Sequence, residues 1–377
     1  MMKDADILFA NILSMGDHAT WQKCIDRVSD ELQAWTLKKS GTRWKRIYLV
    51  GCGTSLYAGQ VSKYIFERLT GLPVEVTQSF AFMNYINPMF LGREALVIAI
   101  STTGSTESTC QAIELAHRQG AGTLAFTANP GSPITQLAET TIHSGGVISV
   151  PVQTETYLQT LIGLYLIAVE IAARLGRSAK GESAYWQDQF RRAEAITVKF
   201  LAGQQGEIED LVQEFSRADM VFTVGTGPNF GTAEEASLKV AEMAKMYSLG
   251  MEMEEFFHGR DRELNRTSPM FFISPHGRAR ERMLDFLTFN RQVGAPSVVL
   301  TCDADADLRK AAERILLLEG DLDPLATPLV FTPPLYLFAY HLGVKRGFDP
   351  SARRFPGLLA LQVRYRNGLV PGSPMRP

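Results

Sequence analysis

The amino-acid sequence repeats itself once, and this duplication constrains the possible fold more than any other feature. Residues 47–53 (IYLVGCG) reappear as 221–227 (VFTVGTG), so that Gly51 and Gly225 stand 174 positions apart. Three later pairs follow in the same order and at nearly the same spacing: 95–101 with 269–274, 123–127 with 297–301, and 164–166 with 335–337. One repeat of this length predicts two tandem copies of a domain of about 150 residues, and it excludes a solenoid, whose repeat is far shorter.

Each copy alternates β-rich runs with helical patterns. Strands are predicted at 47–51, 74–78, 95–101, 123–127 and 140–144 in the first copy, and at 220–225, 270–274, 297–301 and 315–319 in the second. Helical patterns lie between them, for example at 106–119 and 156–175. This alternation predicts two α/β domains, each a parallel sheet with helices on both faces in a flavodoxin- or Rossmann-like three-layer arrangement.

The repeats also suggest domain boundaries. We expect an N-terminal helical segment at 1–30, a first domain at 31–177, a linker at 178–204, a second domain at 205–350 and a tail at 351–377. The linker is suggested by the polar stretch 176–186, and the tail is rich in proline and arginine.

The composition argues against several classes of binding partner. The net charge is −2, with no excess of Lys and Arg, so neither nucleic acid nor an anionic membrane surface is indicated. The apolar run 161–168 is too short to span a bilayer, and the N-terminus lacks the apolar core of a signal peptide. The four cysteines show neither a CxxC pair nor metal spacing, so we expect reduced thiols in a cytoplasmic protein without a metal site: Cys24, Cys52, Cys110 and Cys302.

A hydroxyl-rich turn in the first copy is the strongest candidate binding element. The apolar strand at 95–101 runs directly into Ser101-Thr102-Thr103-Gly104-Ser105-Thr106-Glu107-Ser108-Thr109, which opens a helix. Ligands of open parallel sheets bind beyond the carboxyl ends of the strands, where helix N-terminal N–H groups attract anions. N-capping of the helix is the structural alternative, but one cap needs only one hydroxyl. The turn therefore predicts a phosphate cradle.

The second copy provides an internal comparison. At the equivalent turn it has Ser274-Pro275-His276-Gly277-Arg278-Ala279, without the hydroxyl cluster. If the cluster were needed only for folding the domain, its loss from the second copy would be odd. We therefore expect one phosphate site in each chain, in the first copy.

A dinucleotide cofactor is not indicated. Both copies carry a GxG after a strand, but Leu56 and Phe230 stand where the GxGxxG fingerprint needs its third glycine. We therefore expect no nicotinamide and no other cofactor.

Two further groups suggest chemistry only weakly on their own. Glu235, Lys239 and Glu242 share one face of a helix predicted at 232–247, which is most often a solvated face with a Glu–Lys pair. His258, followed by Gly259, stands beside two aromatic residues, but a lone histidine is more often structural.

Taken together, these motifs resemble the tandem SIS (sugar isomerase) family. This family includes the isomerase half of glucosamine-6-phosphate synthase, the fructosamine-6-phosphate deglycases and the amino-sugar phosphate isomerase/deaminases. The family's CGTS loop stands at 52–55, its S-x-S-G-x-T loop at 101–106 and its E-x-x-x-K-x-x-E helix at 235–242. Its His-Gly follows as His258-Gly259, 16 residues after Glu242. The resemblance extends from about 32 to 363.

The resemblance implies a role for each matching residue. Glu242 would be the base that moves a proton between C1 and C2, Lys239 would orient the carboxylates or the open-chain carbonyl, and Glu235 would belong to the same catalytic group. His258 would open the sugar ring or act as an acid, and it would come from the partner subunit of a homodimer. The implied ligand is a sugar 6-phosphate, held by Cys52, Thr54, Ser55, Ser101, Thr102, Thr103 and Thr106.

Several departures leave the branch of the family open. No glutaminase domain precedes the first copy, so glutamine-fed amination is not expected. Glu155 stands where the synthase pattern has lysine, and Arg260 follows His-Gly in place of proline. The family's C-terminal lysine has no match, since Arg353, Arg354 and Gln362 occupy that region. We expect an isomerase, deaminase or deglycase acting on an aminated sugar 6-phosphate, and the alternative is a sugar-phosphate sensor without catalytic activity.

Overall fold

The computed structural model describes residues 3–38, 44–146 and 148–355. Two N-terminal helices precede the first copy, which contains five strands and four further helices. These elements are α1 (Asp4–Leu13), α2 (His18–Lys38), β1 (Arg46–Gly51), α3 (Thr54–Thr70), β2 (Val74–Gln78), α4 (Ser79–Tyr85), β3 (Ala95–Ile100), α5 (Glu107–Arg118), β4 (Gly122–Thr127), β5 (Thr140–His143) and α6 (Glu155–Arg174).

Two helices lead into the second copy, which repeats the same arrangement. The elements are α7 (Glu182–Gly203), α8 (Gln205–Phe215), β6 (Met220–Gly225), α9 (Pro228–Lys239), β7 (Tyr247–Glu252), α10 (Met253–Phe257), β8 (Met270–Ile273), α11 (Arg280–Val293), β9 (Ser297–Thr301), α12 (Ala306–Ala311), β10 (Ile315–Leu317) and α13 (Pro328–Lys345).

The two sheets have the same topology, which confirms the predicted α/β duplication. The strand orders are β2-β1-β3-β4-β5 and β10-β9-β8-β6-β7, and every pairing is parallel. Register is preserved as well, since Val50 pairs with Thr77 in the first sheet and Val224 pairs with Met251 in the second. All six side chains of the central strand β3 are buried, as expected for a sheet covered on both faces.

Strand β7 was not predicted from the sequence. It is an edge strand, and Tyr247 at its start is 80% exposed, so its side chains do not form the apolar run that marks the central strands. The helix predicted at 232–247 also differs: α9 begins at Pro228 and ends at Lys239, and one turn of π-helix (Val240–Ala244) follows. Lys245 then ends the helical segment in the left-handed region, with φ of 52°.

Most of the segment suggested as a linker at 178–204 is helix α7. Trp186 and Phe190 of this helix are buried, and the Trp186 ring packs edge-on against Tyr165 at 5.6 Å between centroids. Helix α2 likewise continues past the suggested boundary at residue 30 and packs on α6. Both helices are therefore part of the common core.

Helix α6 contains the apolar run 161–168 and lies in the interior. By length and composition it could cross a membrane, but 78% of its apolar window is buried inside the protein. This burial is typical of the core helix of a globular domain.

Helices α3 and α9 pack against each other and join the two copies. The approach is close at Gly231, where an added Cβ would lie 2.9 Å from the carbonyl oxygen of Tyr57. Because both helices begin at the carboxyl ends of the first strands of their sheets, the contact between them lies beside both sheet edges.

Candidate active site

A cavity of about 860 Å³ opens at the carboxyl edge of the first sheet, and both copies contribute to its walls. The first copy contributes the two predicted loops after β1 and β3, and the second contributes Leu238 and Glu242. The N-terminal Asp4 and the C-terminal Arg353 also line it. Eight of the residues predicted from the sequence therefore share one cavity: Cys52, Thr54, Ser55, Ser101, Thr102, Thr103, Thr106 and Glu242.

The loop after β3 is organised by its own hydroxyl groups. The Ser101 Oγ accepts a hydrogen bond from the Gly104 N–H at 3.1 Å and lies 3.4 Å from Thr106 Oγ1. The Thr103 Oγ1 accepts from the Ser105 hydroxyl at 3.1 Å. Gly104 has a φ of 63°, and a Cβ there would lie 1.9 Å from the Ser132 Oγ. The loop therefore requires glycine at this position.

Capping of α5 does not account for these hydroxyls. Thr106 is the N-cap residue, yet among the described residues its side chain makes no capping hydrogen bond to the helix. The first N–H groups of α5 therefore lie beside a cavity lined with hydroxyls. This combination of helix N-terminus and hydroxyl donors is suited to an anion such as phosphate.

Lys239 links the two copies beneath the cavity. Its side chain is fully buried, and its Nζ lies 2.7 Å from Glu242 Oε2, 3.3 Å from Glu235 Oε1 and 3.0 Å from Thr54 Oγ1. Burial lowers the pKa of this ammonium, but the two carboxylates offset the effect and hold the pKa above its ordinary value. Since Glu235 and Lys239 are buried, a solvated helix face is excluded for this part of the pattern.

Glu235 is a buried carboxylate beside Lys239. Its Oε1 accepts hydrogen bonds from the Tyr336 hydroxyl at 2.6 Å and the Thr54 hydroxyl at 3.4 Å, whereas its buried Oε2 has no hydrogen-bond partner within the described ranges. Burial raises the pKa of this carboxyl to about 7, against the lowering effects of Lys239 and of the Tyr336 hydrogen bond.

Glu242 differs from Glu235 in its exposure. It lies on the π-turn that follows α9, and 35% of its side chain remains exposed toward the cavity that it lines. The Lys245 side chain donates to the Glu242 main-chain carbonyl and, at 3.2 Å, to the carbonyl of Asp349. This contact ties the π-turn to the segment that contributes Arg353 to the cavity wall.

Comparison with known proteins decides the family. The sequence pattern of the SIS domain matches residues 42–169 and again 214–345, which together cover both copies. The chain belongs to the SIS domain family. The two SIS domains therefore correspond to the two sheets, and the cavity lies at the edge of the first one.

Individual relatives and solved structures agree with this assignment. Glutamine–fructose-6-phosphate aminotransferase (isomerizing) of Methanothermobacter thermautotrophicus is 30% identical over 81% of this chain, which corresponds to 50% of the relative. The chain spans about half the length of the curated relatives it matches. The C-terminal domain of glucosamine-fructose-6-phosphate aminotransferase from Francisella tularensis superposes with a TM-score of 0.81 at 20% identity, covering 92% of this chain and 98% of that one. Glucosamine-6-phosphate deaminase from Thermotoga maritima gives 0.67 at 17% identity, covering 88% and 96%.

His258 is not brought to the cavity of its own chain. It follows α10 in the second SIS domain, is exposed, and is not among the residues that line the cavity. Within one chain, the sequence-predicted site is therefore assembled without its histidine.

The corresponding edge of the second SIS domain carries different side chains. There the buried Arg280 donates to the Thr301 Oγ1 at 3.2 Å and to the Asp303 carbonyl at 3.0 Å. The Ser274 Oγ, the counterpart of Ser101, is buried and has no hydrogen-bond partner among the residues the structure describes. At this edge, the second SIS domain thus has a buried guanidinium bonded to the end of β9.

Sequence reasoning missed Tyr336 as part of the site. The only signal was its place in the repeated Leu-Tyr-Leu, which marked the duplication but gave no hint of a carboxylate partner 101 residues earlier. No cluster of three or more metal-binding side chains occurs in the described part of the chain, and the four cysteines are free thiols.

Proposed function

We propose that the protein binds the phosphate of a sugar 6-phosphate in the loops at 52–55 and 101–106 and transfers a proton between C1 and C2 of the open-chain sugar. One observation supports this most strongly: the hydroxyl-lined loops and the Glu242 carboxylate face the same cavity from different SIS domains. A phosphate held at one wall would present the sugar carbons to the other.

The proposed phosphate site needs no cation in its loops. The N–H groups at the start of α5 carry the positive end of the helix dipole, and the hydroxyls of Ser101, Thr103 and Thr106 add donors. Such a cradle binds a dianion through hydrogen bonds from neutral groups. Cys52, Thr54, Ser55 and Thr102 complete the proposed contacts.

Glu242 is the proposed base. A carboxylate within reach of the carbon α to a carbonyl or iminium can remove its proton, and the partial exposure of Glu242 leaves it accessible to a ligand. Lys239, at 2.7 Å, would hold this carboxylate in position, and Glu235 would balance the charge of the lysine.

The proposed acid is His258 of a second copy of the chain. An exposed histidine at the end of α10 is available to a neighbouring subunit, and an imidazolium can donate a proton to a departing oxygen or nitrogen. We therefore propose a homodimer in which each site receives its histidine from the partner.

The proposed substrate is a 6-phosphorylated amino sugar or fructosamine, which would be isomerised, deaminated or deglycated. The names of the similar proteins support an aminated hexose phosphate. The proposal assigns no glutamine hydrolysis to these two domains, and the free cysteines fit a reducing compartment such as the cytoplasm.

Deuterium exchange tests the proposal. The protein would be incubated in heavy water with glucosamine 6-phosphate, fructose 6-phosphate and N-fructosyl amino acid 6-phosphates, and wash-in at C1 or C2 would be read by mass spectrometry. We expect exchange with at least one of them, even where no net product forms. Tight binding without exchange across the whole panel would instead support the non-catalytic sensor, in line with the position of His258 outside the cavity of its own chain.

A further inference from the structure

Helix α13 carries a hydroxyl into the buried charge cluster beneath the cavity. This helix packs against α9 and the π-turn, and Tyr336 on it is fully buried. Its hydroxyl donates to the Glu235 Oε1 at 2.6 Å, which is shorter than the contacts of that oxygen with Lys239 and Thr54. Neither substrate-facing loop includes Tyr336, and it does not line the cavity.

The duplication supplies a matched tyrosine. Tyr165 stands in the repeated Leu-Tyr-Leu of the first SIS domain, on α6, and is equally buried. Its hydroxyl donates to the main-chain carbonyl of Leu325, and its ring packs beside Trp186 and Phe190. The two tyrosines thus have equivalent positions, but among the described residues only the Tyr336 hydroxyl donates to a carboxylate.

The hydroxyl of Tyr336 acts on a carboxylate that has few other donors. Glu235 is removed from water, and among the described residues its second oxygen has no hydrogen-bond donor. Donors to a buried carboxylate favour its ionised form, against the cost of desolvation. Within the described ranges, loss of the Tyr336 hydroxyl would leave Glu235 with Lys239 and the longer contact from Thr54.

The charge of Glu235 reaches the proposed base through Lys239. The ammonium lies between two carboxylates, 3.3 Å from Glu235 and 2.7 Å from Glu242. When both are ionised, the lysine divides its attraction between them. When Glu235 is protonated, the lysine pairs with Glu242 alone, and Glu242 becomes a weaker base.

We propose that Tyr336 is a positioning residue of this site, whose hydroxyl favours the ionised form of Glu235 as the second counter-ion of Lys239 and thereby supports the basicity of Glu242. This inference rests on the proposed function for its catalytic consequence. The contacts between Tyr336, Glu235 and Lys239 stand independently of it.

The proposal predicts that the rate of proton exchange depends on pH through the ionisation of Glu235. The groups that surround Glu235 affect this ionisation. They are Lys239 and Glu242 on its own helix and π-turn, Thr54 and Tyr57 on α3, Tyr157 on α6 and Tyr336 on α13. Because the pKa of Glu235 is about 7, the rate of proton exchange should rise as pH increases through that value. In Tyr336→Phe the pKa of Glu235 should be higher still, so the rising limb of the pH–rate profile should move to higher pH.

The decisive experiment compares Tyr336→Phe with Tyr165→Phe and the wild type. Each variant loses one buried hydroxyl, so a general loss of stability is matched between them. Exchange of substrate C1 or C2 hydrogens would be followed from pH 5.5 to 9.5. We expect the Tyr336→Phe limb to move by about one pH unit, which corresponds to roughly a fivefold lower rate at pH 7 that recovers at high pH. Tyr165→Phe should keep the wild-type limb.

A second measurement does not depend on activity. The carboxyl ¹³C resonance of Glu235, assigned by its absence in Glu235→Gln, would be titrated in both tyrosine variants. We expect its midpoint to rise only in Tyr336→Phe. An unchanged midpoint, or a rate lowered equally at every pH, would overturn the inference about Tyr336. An inactive wild type with the expected shift in midpoint would overturn the proposed function alone and leave the Tyr336–Glu235 coupling standing.

Discussion

The Nζ of Lys239 donates a hydrogen bond to the Oγ1 of Thr54 at 3.0 Å and so joins helix α9 of the second SIS domain to the first cavity loop of the first SIS domain. The two residues are 185 positions apart in sequence. Thr54 also donates to Glu235, so one hydroxyl connects the cavity wall with both partners of the buried ion pair. A site of this kind exists only because the two copies pack through α3 and α9.

The first prediction concerns the location of the phosphate site. The double variant Ser101→Ala/Thr103→Ala removes two hydroxyls from the cavity wall, and each lost charge-assisted hydrogen bond should cost about 1.5–3 kcal/mol of binding free energy. Calorimetric titration with a sugar 6-phosphate should therefore show much weaker binding. Ser274→Ala is the matched control in the second SIS domain and should bind like the wild type. Equal weakening in both variants would place the phosphate elsewhere.

The second prediction concerns the stability cost of Glu235. Its folded-state pKa of about 7 lies above the ordinary value of 4.5, so the native state favours the protonated form. Protonation of Glu235 therefore stabilises the native state relative to the unfolded state. This contribution is fully present below pH 4.5 and is lost as pH rises through about 7. The side chain at position 235 does not titrate in Glu235→Gln, so this variant should not show the pH-dependent decrease in the free energy of unfolding. Urea unfolding should show the wild type losing about 1–3 kcal/mol relative to Glu235→Gln between pH 5 and pH 8. A difference that does not change with pH would contradict the raised pKa.

The third prediction tests whether sites are shared between subunits. Glu242→Gln and His258→Asn should each be nearly inactive. If the histidine comes from the partner, one site of each mixed dimer has both native residues, and an equal mixture after subunit exchange should recover about a quarter of wild-type activity. A mixture that stays inactive, although light scattering shows exchanged dimers, would place both residues in one chain's site.

The sequence predicted the architecture well because duplication and burial leave a clear pattern. The strands at the centre of each sheet, such as β3 and β6, appear as short apolar runs and repeat at a fixed offset. Edge strand β7 does not, because its exposed Tyr247 and its Gly250 break the pattern. Helix α7 was obscured by the polar residues before Trp186, which face solvent while Trp186 itself is buried.

The cavity loops could also be predicted, because each follows a strand directly. The burial of Glu235 and Lys239 could not, since the groups that stabilise their charges, Thr54 and Tyr336, come from distant parts of the chain. The π-turn that presents Glu242 had no sequence signal either, because the residues 240–244 are compatible with an ordinary α-helix.

The central claim is that Glu242 removes a proton from a bound sugar phosphate, and its replacement by glutamine tests this directly. Glu242→Gln keeps the size and much of the hydrogen bonding of the side chain but cannot accept a proton, whereas Glu209→Gln alters an exposed carboxylate of α8 and serves as the control. Calorimetry would establish that each variant still binds the sugar 6-phosphate. Deuterium wash-in at C1 or C2 would then be measured at saturating ligand. The account predicts wild-type exchange in Glu209→Gln and a fall of about 10²–10⁴-fold in Glu242→Gln. Undiminished exchange in a Glu242→Gln variant that binds normally would contradict it.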